Sequence, residues 1–282
     1  MSPARSYRIA TLLLLLLLLS AADPSRAASP PGRVVSTNLC TDQLLLLLAD
    51  ERQIASVTHL AREPNSSFMA EAARGYPVNH DRVEELLALQ PDLVVTGGHA
   101  RTGTAALLDR LGYRVEHFPD AADLEGIRAN IRRMASLLGR RARGEAVIGR
   151  MQRRIIAATA ALPGQPLSAL FYQPRGYTSG SGTLHDLALR LSGWRNVAAE
   201  EGIRGFAPID LERVLLARPV QLFTSAYAPG TDSLAQRQLR HPALRQLTAA
   251  RPMIEIGYRY WICGGPMIAE AVERLARARR DR

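Results

Sequence analysis

Residues 83–95 read VEELLALQPDLVV, and residues 211–223 read LERVLLARPVQLF. The two stretches align at a constant offset of 128 residues, sharing a glutamate (Glu84, Glu212), an apolar pair (Leu86 and Leu87, Val214 and Leu215) and a proline (Pro91, Pro219). Each reads as a short amphipathic helix stopped by proline, which cannot donate to a helical ladder, and then an apolar β run. Any short helix ahead of a proline-led strand has part of this pattern. A constant offset across half the chain points instead to two lobes of related plan.

The segments around each copy agree with that plan. Before and after the first copy, Arg33–Ser36, Ile54–Thr58, Asp92–Thr96 and Tyr113–Phe118 read as strands. They alternate with helices that start near Thr41-Asp42 and cover Val83–Leu89 and Thr104–Leu111. Around the second copy, strands at Leu167–Tyr172, Val220–Thr224 and Met253–Ile256 accompany helices at Leu184–Leu191 and Leu211–Leu216, with a last helix from Pro266 to near Arg277. Alternation with short glycine-containing connections predicts parallel sheets wrapped by helices, an α/β fold. Between the halves, Leu124, Ile127, Ile131, Met134 and Leu138 keep a three-four spacing, Gly139 interrupts it, and Ile148, Met151, Ile155 and Leu162 resume it. The second of these helices, from near Arg141, is predicted to be roughly 33 Å long at 1.5 Å per residue, enough to run across two adjacent lobes. The expected organisation is a first lobe over 28–139, an inter-lobe helix over 140–162 and a second lobe over 163–282.

The N-terminus has the pattern of an export signal. Arg5 and Arg8 precede the apolar run Leu12–Leu19, and Ser25-Arg26-Ala27 places small residues where a signal peptidase reads. The expectation is a cleaved signal over 1–27, too short to anchor in a bilayer, and a soluble exported product. The formal net charge is +10 and every basic side chain is arginine. The arginines are scattered rather than interleaved with aromatics in one element, which argues against a nucleic-acid surface. Cys40 and Cys263 are the two cysteines. In an oxidising compartment three readings stand: two unrelated buried thiols, a disulfide, or paired ligand contacts to a soft metal. No CxxC or HxxxH spacing supports a direct metal site. Ser179 and Ser181 lack the flanking glycines of a serine elbow, and no dinucleotide GxGxxG occurs. A thiol-dependent secreted enzyme or a metal-ion binder using Cys40 and Cys263 is the alternative to a plain binding protein.

RVVSTNLCTDQLLLLL at 33–48, VEELLALQPDLVVTGG at 83–98, the helical linker, YTSGSGTLHDLALRLSGWRNVA at 177–198 and FAPIDLERVLLARP at 206–219 together resemble the periplasmic binding proteins of iron-siderophore, haem and vitamin B12 importers. That resemblance implies the class III architecture: two Rossmann-like lobes with mostly parallel sheets, joined by a single long helix. It implies no catalysis and no intrinsic cofactor. The implied ligand is an iron- or cobalt-containing metal chelate held in the inter-lobe cleft by a monomer, which delivers it to an ABC permease dimer in the inner membrane. The turns carried over to the cleft place Asn38, Cys40, Thr41, His59, Gly98, His99, Arg175, Tyr177, Phe206, Tyr227, Tyr260, Trp261 and Cys263 at the ligand, with Arg101 and Arg259 nearby. The stretch YRYWICGGP at 258–266 would be an aromatic platform at the cleft edge, of which Tyr260 and Trp261 are expected to face the chelate. B12-binding members carry an aromatic near the position of Asn79-His80, so a ferric siderophore or another metal chelate is expected ahead of B12. Glu84 and Glu212 would dock the two lobes onto arginine pockets of the permease.

Overall fold

The computed structural model describes residues 29–98, 103–225 and 237–282. The predicted signal over 1–27 lies outside them. Five parallel strands form the first sheet: β1 (Val34–Ser36), β2 (Ile54–Thr58), β3 (Val78–Asn79), β4 (Leu93–Gly97) and β5 (Val115–Phe118), in the order β3-β2-β1-β4-β5. The second sheet is built from β6 (Leu167–Phe171), β8 (Trp194–Asn196), β10 (Gln221–Thr224) and β11 (Ile254–Glu255), parallel in the order β11-β10-β6-β8. A separate antiparallel pair, β7 (Tyr177–Ser179) and β9 (Phe206–Pro208), stands beside it. Both residues and neighbours make β4 and β10 central strands, buried along their whole length, as expected of strands covered on both faces.

The echo in the sequence is an echo in space. Helix α3 (Val83–Ala88) leads into β4, which lies beside β1; its counterpart α9 (Leu211–Ala217) leads into β10, which lies beside β6. The strand orders β2-β1-β4-β5 and β8-β6-β10-β11 then correspond one to one. Each echo helix packs one apolar residue into an outer cluster, Leu86 with Val35, Val94 and Leu108, and Val214 with Leu170, Tyr172 and Leu222.

Between the sheets, helices α5 (Leu124–Leu137) and α6 (Arg141–Thr159) are parted by Gly139 at φ 71°. Any Cβ at Gly144 would come within 2.6 Å of the Ala135 Cβ, so glycine is what lets these two helices cross closely. The stripe Val147, Ile148, Met151 and Ile155 of α6 is buried in a continuous apolar core that also holds Leu45 of the first half and Phe171, Trp194 and Leu275 of the second. The last helix, α11 (Ile268–Arg280), packs along α6, and Arg154 joins them through Glu270 and Glu273 at 2.6 Å each. Residues 31–282 form one compact unit around this core.

Helix α1 (Leu39–Leu48) begins at Asn38, whose Oδ1 accepts the Cys40 N–H at 2.8 Å in a standard N-cap. One turn in, the buried Asp42 accepts from the Thr58 backbone N–H at 3.0 Å and from Thr58 Oγ1 at 2.5 Å, tying α1 to the end of β2. Burial pushes its carboxyl up to about 6, with hydrogen bonds offsetting part of that rise. The folded carboxyl thus holds its proton more tightly than the unfolded one, and the stability from this group is lost as pH rises through the window from about 4 to about 6. That loss amounts to up to about 3 kcal/mol, flat above it. Replacing Asp42→Asn should remove this slope from a plot of urea midpoint against pH; an unchanged slope would assign it elsewhere.

Candidate functional site

Ligands of open α/β sheets bind beyond the carboxyl ends of the strands. Beyond β6 and β10 lies a cavity of about 440 Å³. Gln173, Pro174 and Tyr177 line it from the turn after β6, Ser225 from the end of β10, Phe206 from β9 and His185 from helix α7 (Leu184–Leu191). Tyr258, Trp261 and Ile262 close the wall. Tyr177 and Phe206 are exposed at its rim, on the antiparallel pair.

The segment 258–266 has two jobs. Tyr258–Tyr260 is a 3-10 turn, so residues three apart share a side, and Tyr258 and Trp261 both reach the cavity. Trp261, 4 % exposed, is fixed by donating its Nε1–H to Ser225 Oγ at 2.8 Å; it stacks on the His185 ring at 4.5 Å and meets Phe171 edge-on at 5.2 Å. Tyr260, also 4 % exposed, faces the first half of the molecule: its ring lies 6.0 Å from Phe68 and 5.3 and 5.1 Å from the guanidiniums of Arg259 and Arg274. It borders a second hollow of about 390 Å³, shared with Pro64, Asn65 and Tyr258. Of the expected pair, Trp261 lines the 440 Å³ cavity and Tyr260 the neighbouring hollow, while the turn brings Tyr258 beside Trp261.

Cys263 is bonded to Cys40, with the Cα atoms 5.1 Å apart. This settles the three readings for the cysteines. Among the described residues no thiol is free, so Cys40 and Cys263 cannot serve as thiolate ligands or as a thiol nucleophile. The long helix is also not the single covalent bridge between the halves: the disulfide is a second. Next to it, Gly264 abuts Ala121, where a Cβ would fall 2.4 Å from the Ala121 carbonyl oxygen. Gly264 is needed for that approach.

Of the first-half candidates, Asn38 and Thr41 have structural partners. Asn38 caps α1, and the buried Thr41 Oγ1 bonds Ser36 Oγ at 2.8 Å and donates to the Asn38 carbonyl at 2.9 Å. Cys40 and Thr41 border a crevice of about 20 Å³. His59 is exposed and stacks on His80 with centroids 5.0 Å apart, and His80 Nδ1 lies 3.4 Å from Glu85. The His80 contacts hold the Glu85 carboxyl below its usual range, the hydrogen bond from the His80 backbone N–H first among them. Gly98 follows β4 at φ 103°, and Arg175 is exposed in a left-handed turn at φ 63°. Neither borders the 440 Å³ cavity. His99, Arg101 and Tyr227 lie outside the described residues. The cavity thus gathers Tyr177, Phe206 and Trp261 from the expected set.

Sequence reasoning singled out neither Ser225 nor, above all, His185. This imidazole is 3 % exposed, and neither ring nitrogen has a hydrogen-bond partner among the described residues. Burial pushes it down to about 3, so it is neutral at ordinary pH. Its ring is boxed by Trp261, by Phe171 at 4.6 Å and by Phe206 at 5.6 Å. Within the helix pattern LHDLALRL nothing distinguishes it from a helix residue; the signal was only that a polar residue occupies a buried register. Among the described residues no cluster of three His, Cys, Asp or Glu side chains suits a bare metal ion.

The family model of the periplasmic binding proteins matches residues 34–252. The chain belongs to the periplasmic binding protein family. Several solved structures share the architecture of this periplasmic binding protein. The periplasmic haem-binding protein RhuT of Roseiflexus sp. RS-1, in apo form, is 26% identical with a TM-score of 0.74, over 88% of this chain and 98% of that one. The periplasmic haem-binding protein HutB of Vibrio cholerae is 21% identical with a TM-score of 0.71, over 87% and 98%. The vitamin B12-binding protein BtuF of Vibrio cholerae is 17% identical with a TM-score of 0.66, over 89% and 98%. The latter two show the fold alone. No curated protein matches the chain in sequence. Members of the family are binding proteins, and the two-sheet plan with a connecting helix is the class III one. Among the described residues no helix is long and apolar enough to cross a membrane.

Proposed function

We propose that this periplasmic binding protein captures a large, flat metal chelate in the aromatic cavity beyond β6 and β10 and hands it to an ABC permease of the inner membrane. The observation that carries the reading is the cavity itself: about 440 Å³, walled by Tyr177, Phe206, Tyr258 and Trp261, at the strand ends where such folds bind. A haem-like body suits these walls better than an anionic siderophore, because among the described residues no arginine lines this cavity; Arg259 and Arg274 line the neighbouring hollow. The 26% identity to a haem-binding relative supports the same choice. Export by a signal over 1–27, leaving Ala28 as the first residue, belongs to the proposal and is tested by N-terminal sequencing of the periplasmic protein.

The cargo is tested by native mass spectrometry of protein purified from its own periplasm, where a bound chelate adds its mass. Titration gives a second readout. Cargo entering this cavity should quench the emission of Trp261, whereas Trp194 is buried elsewhere and donates to the Leu275 carbonyl at 3.0 Å. Replacing Trp261→Phe should abolish most of the quenching. Loss of the signal in Trp194→Phe, with Trp261→Phe keeping both signal and affinity, would move the site away from this cavity.

A further inference from the structure

We propose that the Cys40–Cys263 disulfide determines cargo specificity: it holds the turn 258–266 in the ligand position of the first sheet and so restricts the cleft to thin, flat cargo. This rests on the reading of the cavity as a chelate site. In each sheet the strand order reverses once, between β1 and β4 in the first and between β6 and β10 in the second. Ligands of open α/β sheets bind beyond such a reversal. Beyond β6 and β10 lies the cavity of about 440 Å³. At the equivalent place of the first sheet, bordered by Cys40, by Gly97 at the end of β4 and by Phe118 at the end of β5, the described residues leave a crevice of about 20 Å³. Cys263 and Gly264 take up that place: the first is bonded to Cys40, and the second lies so close to Ala121 that a Cβ would fall 2.4 Å from its carbonyl oxygen. The turn that walls one ligand position therefore plugs the other.

The other ties between this turn and the first half are weak. Arg259 donates to the Pro64 carbonyl at 3.4 Å near the surface, and the Tyr260 ring lies 6.0 Å from Phe68. The bridge, by contrast, sets a hard limit on how far the turn can withdraw. Disulfides span Cα separations up to about 6.8 Å, and this one stands at 5.1 Å, which leaves a slack of less than about 2 Å. A further layer of atoms in the cleft needs about 3.5 Å. Trp261 stands two residues before Cys263, so its Cα stays within about 7 Å of the anchored one. Its indole is fixed as well, by Ser225 at 2.8 Å. While the bridge stands, the aromatic wall cannot retreat by one atomic layer. A flat porphyrin sliding against Tyr258 and Trp261 needs no such retreat, whereas a corrinoid with a nucleotide base beneath its ring does.

The test titrates three forms of the full protein with ferric protoporphyrin and with cyanocobalamin, reading binding from the absorption of each chelate. The forms are wild type, the double variant Cys40→Ser with Cys263→Ser, and reduced wild type whose two thiols are rejoined through a longer bis-alkylating spacer. Wild type should bind the porphyrin and discriminate against cobalamin. In both altered forms the ratio of porphyrin affinity to cobalamin affinity should fall by about tenfold or more, through a gain for cobalamin. A bridge that merely supports the turn would weaken both chelates alike and leave the ratio unchanged, and that result overturns the inference. Wild type that binds cobalamin as tightly as porphyrin overturns it too, leaving the chelate reading standing, whereas wild type that binds no chelate at all overturns both. If the double variant fails to fold, the rejoined protein decides: a gain for cobalamin supports the filter, and unchanged selectivity removes it.

Discussion

Replacing Cys40 and Cys263 together with serine should lower the stability of the protein by about 3–5 kcal/mol. The bridge closes a loop across a sequence separation of 223 residues, and the entropy that a crosslink removes from the unfolded chain grows with loop length. The core shared through α6 remains in the variant, so it should still fold. Urea unfolding of the two forms, or of wild type with and without a dithiol reductant, measures the difference. The effect should also reach the ligand, because Tyr258, Trp261 and Ile262 of the cavity wall belong to the turn that Cys263 fastens to the first half. Release of that turn should weaken cargo binding as well as stability. Two thiols titrating in denatured protein without reductant would show that the bond is not formed, and equal urea midpoints would show that it contributes nothing.

The architecture could be read ahead of the structure because its signals are local. Helix α6, the echo of α3 in α9, and strands β4 and β10 each follow from apolar spacing, glycine and proline within a short window, and the offset of the echo gives the equivalence of the two sheets. The cavity was read only in part, because what distinguishes its residues is contact across the chain. Cys40 and Cys263 leave three readings open in the sequence, and only the fold selects the disulfide among them. Tyr260 and Trp261 are neighbours in sequence, whereas a 3-10 turn has a period near three and sets Tyr258 on the side of Trp261. Tyr258 thus joins Trp261 in the cavity wall, and Tyr260 turns to the adjoining hollow. His185 sits in a helix whose amphipathic pattern it barely disturbs, and only the fold shows it at the cavity wall with neither nitrogen partnered among the described residues.

Alanine at both Glu84 and Glu212 should abolish cargo uptake in cells while leaving cargo affinity and thermal stability nearly unchanged. The two glutamates are proposed as the docking contacts of the two halves with a two-subunit permease. Both are exposed, and among the described residues neither has an ion-pair partner, in contrast to Glu85 beside His80 and Glu201 beside Arg213. Each lies in the first turn of an echo helix, where the helix dipole favours a carboxylate by about 0.3–1 kcal/mol with or without a partner. That local effect accounts for a first-turn glutamate on either helix, but it gives no reason for the two to act as a pair. The spatial echo adds one: α3 and α9 bury Leu86 and Val214 in equivalent outer clusters, so the two carboxylates occupy equivalent places on related halves. One turn beyond Glu212, Leu216 is 82 % exposed, apolar surface of the kind that a partner covers. Charges used in this way act mainly on orientation and association rate, so binding to permease in vesicles should weaken as salt is raised. The double variant should bind cargo normally and fail to stimulate the ATPase of the transporter. Transport that survives the double replacement at low expression would remove both glutamates from the docking surface.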